Sequence, residues 1–157
     1  MTNGLELGDV YGATIERIKA QDGDKSRLGI TALMCISHAE RLLRAGELCH
    51  GLAVQLGSTD FGVGNIPSVS TLLIHFTLQE YLSAHPDIFI KPHLATAEMC
   101  STYLNSQQIK ALSTANSPNT QNARLLQYCS VYWGVHAKKE LSDYGRLLAL
   151  ELLKARL

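Results

Sequence analysis

Leu72-Leu73-Ile74-His75-Phe76-Thr77-Leu78-Gln79-Glu80-Tyr81-Leu82 (LLIHFTLQEYL) is where the fold is decided. Residues 72–76 are the one candidate strand, a short and largely apolar run. Thr77 then offers a hydroxyl to cap a helix over 78–84, and Glu80, three residues on, completes a capping-box pattern. With so little strand, the fold class turns on what surrounds this stretch.

Outward in both directions the pattern is helical. On the amino-terminal side, Leu7, Tyr11, Ile15 and Ile18 line one face of a helix over 8–21, and Gln21-Asp22-Gly23-Asp24 breaks it. A second helix over 25–38 carries Leu28, Ile30, Leu33, Met34, Cys35 and Ile36 on more than one side, as a helix buried between neighbours does. Leu48, Leu52 and Leu56 align along a third over 46–56. Residues 57–64 (GSTDFGVG) read as loop, and Pro67 suits the first turn of a short helix over 67–72. Such short helices with tight connections suit a helix-turn-helix arrangement.

On the carboxyl-terminal side, His85-Pro86 and Lys91-Pro92 punctuate an irregular connection. Helices are expected over 95–104 and 107–112, followed by a polar loop over 113–122 (STANSPNTQN). Two strong helices close the chain. Leu125, Tyr128, Cys129, Tyr132, Val135 and His136 form the stripe of the first, with Trp133 beside it. Leu141, Tyr144, Leu148, Leu152 and Ala155 form that of the second. The expected fold class is mainly α, with no internal repeat of repeat-protein length.

The chain has 157 residues, 46% of them hydrophobic, enough for a core in one domain or two small subdomains. Lys plus Arg and Asp plus Glu both total 14, so no net field favours nucleic acid or a membrane surface. No apolar run approaches the ~20 residues that span a bilayer, and the amino terminus lacks the pattern of a secretory signal. Cys35, Cys49, Cys100 and Cys129 are scattered through helical patterns and read as buried thiols of a reducing compartment, by default the cytoplasm.

The motifs of catalysis fail. There is no G-x-x-x-x-G-K-[ST] and no G-x-S-x-G, and Gly62-Val63-Gly64-Asn65-Ile66-Pro67 begins like a dinucleotide fingerprint but ends in proline. His38-Ala39-Glu40 has the H-x-E of zinc deaminases without their C-x-x-C. Neither Cys49-His50 nor Cys129 with His136 supplies four zinc ligands, so no metal site is expected. A cysteine hydrolase built on Cys100 or Cys129 and a histidine is disfavoured, because burial raises a thiol's pKa. Lys138-Lys139 with Arg146 reads as solvated charge near helix ends.

The segment Leu73 to Leu82 also resembles the "hydrophobic, His, x, Thr/Ser, x, Gln-Glu-Tyr/Phe" signature near the end of the winged helix in NACHT-type signalling NTPases of the STAND class. LELGDVYGATIERIK (5–19), LGITALMCISHAE (28–40), ELCHGLAV (47–54), NIPSVSTL (65–72), residues 96–112 and YCSVYWGVHAKK (128–139) are similar to corresponding parts of fungal NACHT proteins, in which ankyrin or other repeats often follow. The resemblance covers nearly the whole chain. It implies a linker helix over 1–23, a winged-helix-like domain over 24–84 and a helical subdomain over 85–157. This winged helix is sometimes labelled a GPI inositol-deacylase domain; no Ser-His-Asp set is evident here, so no deacylase is implied.

The resemblance further implies a role for His75. In the wider family the signature histidine touches the β-phosphate of ADP on the NTPase core and locks the winged helix in an inactive arrangement. Thr77, Gln79, Glu80 and Tyr81 would support the motif by capping and packing the helix. This chain holds no such core, so ADP or ATP would reach it only through a nucleotide-binding core, in cis in relatives or in trans here, and no cofactor is expected in the chain itself.

The sequence departs from the family at the wing. Family members place a β-hairpin of about twenty residues between the helix at 67–72 and the histidine strand, whereas Ser70-Thr71-Leu72 runs directly into Leu73-Ile74-His75. A lone strand leaves its backbone amides without ladder partners, so an irregular segment or a merged helix is expected. Leu43 and Cys35 stand where proline and tryptophan are common, and Gly46 replaces a capping aspartate. The expected function is that of a non-catalytic regulatory segment of a signal-transduction NTPase, a truncated paralogue of the longer proteins. The alternative is a stand-alone helix-turn-helix binding protein or DNA.

Overall fold

The computed structural model describes residues 7–55, 76–112 and 123–154. They form helices α1 (Leu7–Lys19), α2 (Gly23–His38), α3 (Ala45–Gln55), α4 (Phe76–Ala84), a 3-10 turn (Pro86–Ile88), α5 (Pro92–Asn105), α6 (Gln107–Leu112), α7 (Leu126–Lys139) and α8 (Asp143–Lys154). Among the described residues there is no strand, and the chain is mainly α.

The helix ends have local causes. Gly23 opens α2 at φ +45°, a left-handed value that glycine adopts without steric cost. The Glu47 carboxylate reaches back 2.8 Å to accept the Arg44 backbone N–H at the start of α3, one half of a capping box. Pro92 occupies the first turn of α5, where its missing N–H costs nothing, after Lys91 in a left-handed conformation. Ser142 Oγ accepts the Gly145 N–H at 2.9 Å and caps α8; its hydroxyl also donates to Glu98 on α5.

α5 is the centre of the molecule. It packs against α7, α8, α3, α2 and α6, and it buries Thr96, Ala97, Met99, Cys100, Ser101, Tyr103 and Leu104. At about 100° per residue these span an arc of about 200°, more than half of the circumference. α1, α2 and α4 pack on one another beside it, and α2 reaches α3 and α5. Ala32, Leu33, Met34 and Cys35 are buried in succession, so α2 does lie between neighbours. The buried cluster runs without a break from Ile15 to Cys129. Where α3 crosses α5, a Cβ on Gly51 would sit 2.9 Å from Met99 Sδ. The glycine permits the close approach.

Several expectations need correction. α4 is already helical at Phe76, so Phe76 is not strand and Thr77 lies within the helix rather than capping one that begins at Leu78. α5 starts at Pro92, three residues before the apolar pattern becomes regular, because proline can begin a helix. Val135 is 40% exposed and Tyr144 57% exposed. Leu125, Tyr128, Cys129 and His136 are buried around α7, which leaves Val135 at the edge of that arc. α8 turns Gly145 and Leu148 inward, about 100° and about 40° round the helix from Tyr144. The expected short helix over 67–72, the rest of the candidate strand, the site of the missing wing and the polar loop 113–122 lie outside the described residues.

Candidate functional site

Three chain segments converge at one end of α5. α2 ends at His38 because Ala39 turns extended (φ −66°, ψ 139°), which brings Glu40 to the surface just beyond. Pro92 sets His93 into the first turn of α5. α7 ends at Lys139, with Tyr128 and His136 two turns apart on its buried face. The Glu140 carboxylate accepts the Leu94 N–H at 3.4 Å and ties the end of α7 to the start of α5.

The side chains form a chain of hydrogen bonds. The Glu40 backbone N–H donates to Tyr128 Oη at 3.2 Å, Tyr128 Oη lies 2.9 Å from His136 Nε2, and His136 Nδ1 lies 3.0 Å from His93 Nδ1. One of two neutral rings must donate across the last contact. If Tyr128 donates to Nε2, His136 carries its proton on Nδ1 and donates to His93, whose own proton then sits on Nε2. His38 meets the His93 ring edge-on at 5.7 Å and the Phe89 ring at 5.4 Å. Lys139 Nζ lies 2.7 Å from a Glu40 carboxylate oxygen.

Burial governs the protonation of these rings. His136 is fully buried, and desolvation, reinforced by His93, pushes its pKa down to about 4. Burial and then the Lys139 charge lower His93, and burial lowers His38. The hydrogen bond from Lys139 holds the Glu40 carboxyl below its usual range. At neutral pH the centre therefore consists of uncharged imidazoles beside one ionised carboxylate. Each imidazole keeps a lone pair available as acceptor or ligand.

A second polar element braces the first. Glu47 on α3 is buried and receives two bonds from the Arg41 guanidinium, at 2.8 and 2.6 Å. The same guanidinium lies 5.3 Å from the centroid of the Tyr128 ring. Nearby, Arg44, Gly46, Glu47, Ala123, Arg124 and Ser130 line an open cavity of about 690 Å³.

The residues singled out from the sequence fall elsewhere. His75 lies outside the described residues. Thr77, Gln79, Glu80 and Tyr81 all belong to α4. Glu80 is exposed, while Tyr81 packs on Tyr11 of α1 at 5.5 Å and stacks on His85 at 4.2 Å. Neither Glu80 nor Tyr81 joins the histidine centre. The four cysteines are free and buried; burial pushes Cys35 up to about 12, and burial with the adjacent Cys100 raises Cys129. Lys139, read as solvated charge, is committed to Glu40.

Sequence reasoning met His38, Glu40 and His136 only as incomplete zinc sets and passed over His93. The intervals that separate Glu40, His93 and His136 have no motif spacing, and only the packing of α2 and α7 on α5 brings these residues together. No family model, curated protein or solved structure matches the chain. Among the described residues no helix is long and apolar enough to cross a membrane.

Proposed function

We propose that this chain is a non-catalytic regulatory and interaction segment of the NACHT type, which packs against a nucleotide-binding core supplied elsewhere. The observation that carries this reading is the outer face of α8. Leu147, Leu150 and Leu153 are 62%, 52% and 55% exposed, and Tyr144 stands beside them, while Gly145 and Leu148 pack inward on α5. A helix apolar on both sides is characteristic of burial between neighbours, and among the described residues one side of α8 is covered, by α5. Val131 and Val135 on α7 add exposed apolar area.

The buried thiols fit a supporting rather than a catalytic part, and Cys35 and Cys129, whose pKa burial raises, are poor nucleophiles. In this reading His75 donates to the β-phosphate of ADP held by the core, and Thr77, Gln79, Glu80 and Tyr81 shape the helix that carries it. The chain itself then has no nucleotide site. Titrating ADP and ATP with Mg²⁺ into the chain alone, followed by calorimetry, is expected to give no saturable heat. Tight stoichiometric binding would overturn the reading.

A further inference from the structure

The histidine centre has the composition and spacing of a metal site. Among the described residues, one ligand atom each of Glu40, His93 and His136 lies within 4.8 Å of the other two. The two Nδ1 atoms are 3.0 Å apart. Tetrahedral zinc with Zn–N bonds of ~2.0–2.1 Å holds its ligand atoms about 3.3 Å apart, so the rings need to separate by about 0.3 Å and turn until both Nδ1 lone pairs point at the ion. His136 is fixed by burial, whereas Glu40 stands at the solvent edge with a side chain that can turn toward the nitrogens.

We propose that Glu40, His93 and His136 bind one divalent transition ion of the zinc class, through the two Nδ1 atoms and a Glu40 carboxylate oxygen. Imidazole with carboxylate suits zinc and its neighbours better than calcium or magnesium, which take oxygen ligands. The ion replaces the proton shared between the two rings. His136 keeps one proton, moved from Nδ1 to Nε2, and Tyr128 Oη, 2.9 Å away, turns its own proton aside and accepts there instead of donating. Such an outer partner fixes tautomer and ring orientation in metal sites. The fourth position opens toward solvent at Glu40 and is filled by water. This makes a two-histidine, one-carboxylate set with an open position, an arrangement found in zinc enzymes and independent of the α8 surface.

Lys139 is the resident competitor. Its ammonium occupies Glu40 at 2.7 Å and must swing away, which its partly exposed side chain allows. Glu140 faces the same end of α5 and favours a cation, while His38 adds a further uncharged ring.

The test titrates Zn²⁺, and separately Co²⁺ for its visible spectrum, into the full chain after chelator treatment. The expected result is one ion per chain with the intense absorption of four-coordinate cobalt. His93→Ala and Glu40→Gln should each weaken binding about 100-fold or more while circular dichroism shows the fold intact. Lys139→Ala should tighten it several-fold, which a purely structural role for the cluster would not produce. Absence of stoichiometric binding by the wild-type chain overturns the proposal. So does binding that survives His93→Ala and Glu40→Gln, or that disappears only when the cysteines are alkylated.

Discussion

Glu47 shows how one carboxylate is held inside an apolar molecule. Burial by itself would raise its pKa, but hydrogen bonds from the Arg41 guanidinium and the Arg44 N–H outweigh that and keep it below the usual carboxylate range. Arg41 is shifted the opposite way by the same pair, so both partners favour their charged forms. Glu47→Gln leaves a half-paired guanidinium and should cost about 3 kcal/mol in urea unfolding at pH 7. A folded pKa below the unfolded one means that this stability is present above pH 4.5 and is lost as pH falls below it. His50 acts earlier on acidification. It is buried on α3 with Nδ1 3.3 Å from Tyr103 Oη, and desolvation lowers its pKa from 6.5. Below pH 6.5 the unfolded chain takes a proton that the folded chain refuses, so stability should fall between pH 7 and pH 5. Urea unfolding of His50→Gln should show a shallower loss over the same interval.

At the scale of elements, most helices could be read before the structure. α1 follows Tyr11, Ile15 and Ile18, and α2 was expected to be buried on several sides because its apolar residues encircle it. α5 was harder: a helix with neighbours on several sides has no clean apolar stripe, and its first turn opens on Pro92-His93 with Leu94 the one apolar side chain there. The stripe over α7 and α8 misassigned Val135 and Tyr144, since periodicity gives the arc of a helix but not which neighbour covers its edges. A glycine inside a helix weakens it, and Gly51 lies within α3; the crossing with α5 explains its presence. Gly51→Val should therefore destabilise by about 1–3 kcal/mol through overpacking against Met99. Gly134, mid-helix in α7 with open space around it, behaves oppositely, and Gly134→Ala should stabilise by about 0.5–1 kcal/mol. Thermal and urea unfolding of the two variants check both signs.

At the scale of the whole molecule, the histidine centre was invisible for a different reason. His93 and His136 belong to helices that meet only in the tertiary fold, and each ring has an unremarkable local sequence. The cysteines were easier, because apolar helical surroundings already predict burial, and all four are buried. In the native chain at pH 7.5 they should resist thiol-reactive probes and become reactive only on unfolding; rapid native labelling of any of them would contradict the packing described. The remaining asymmetry lies at α8, one side on α5 and the other a row of exposed leucines. The most direct measurement is sedimentation velocity of the full chain mixed with a fungal NACHT nucleotide-binding core in the presence of ADP. The account predicts a faster-sedimenting complex that Leu147→Asp with Leu150→Asp abolishes without loss of helicity. No complex, or one indifferent to those two leucines, would contradict it.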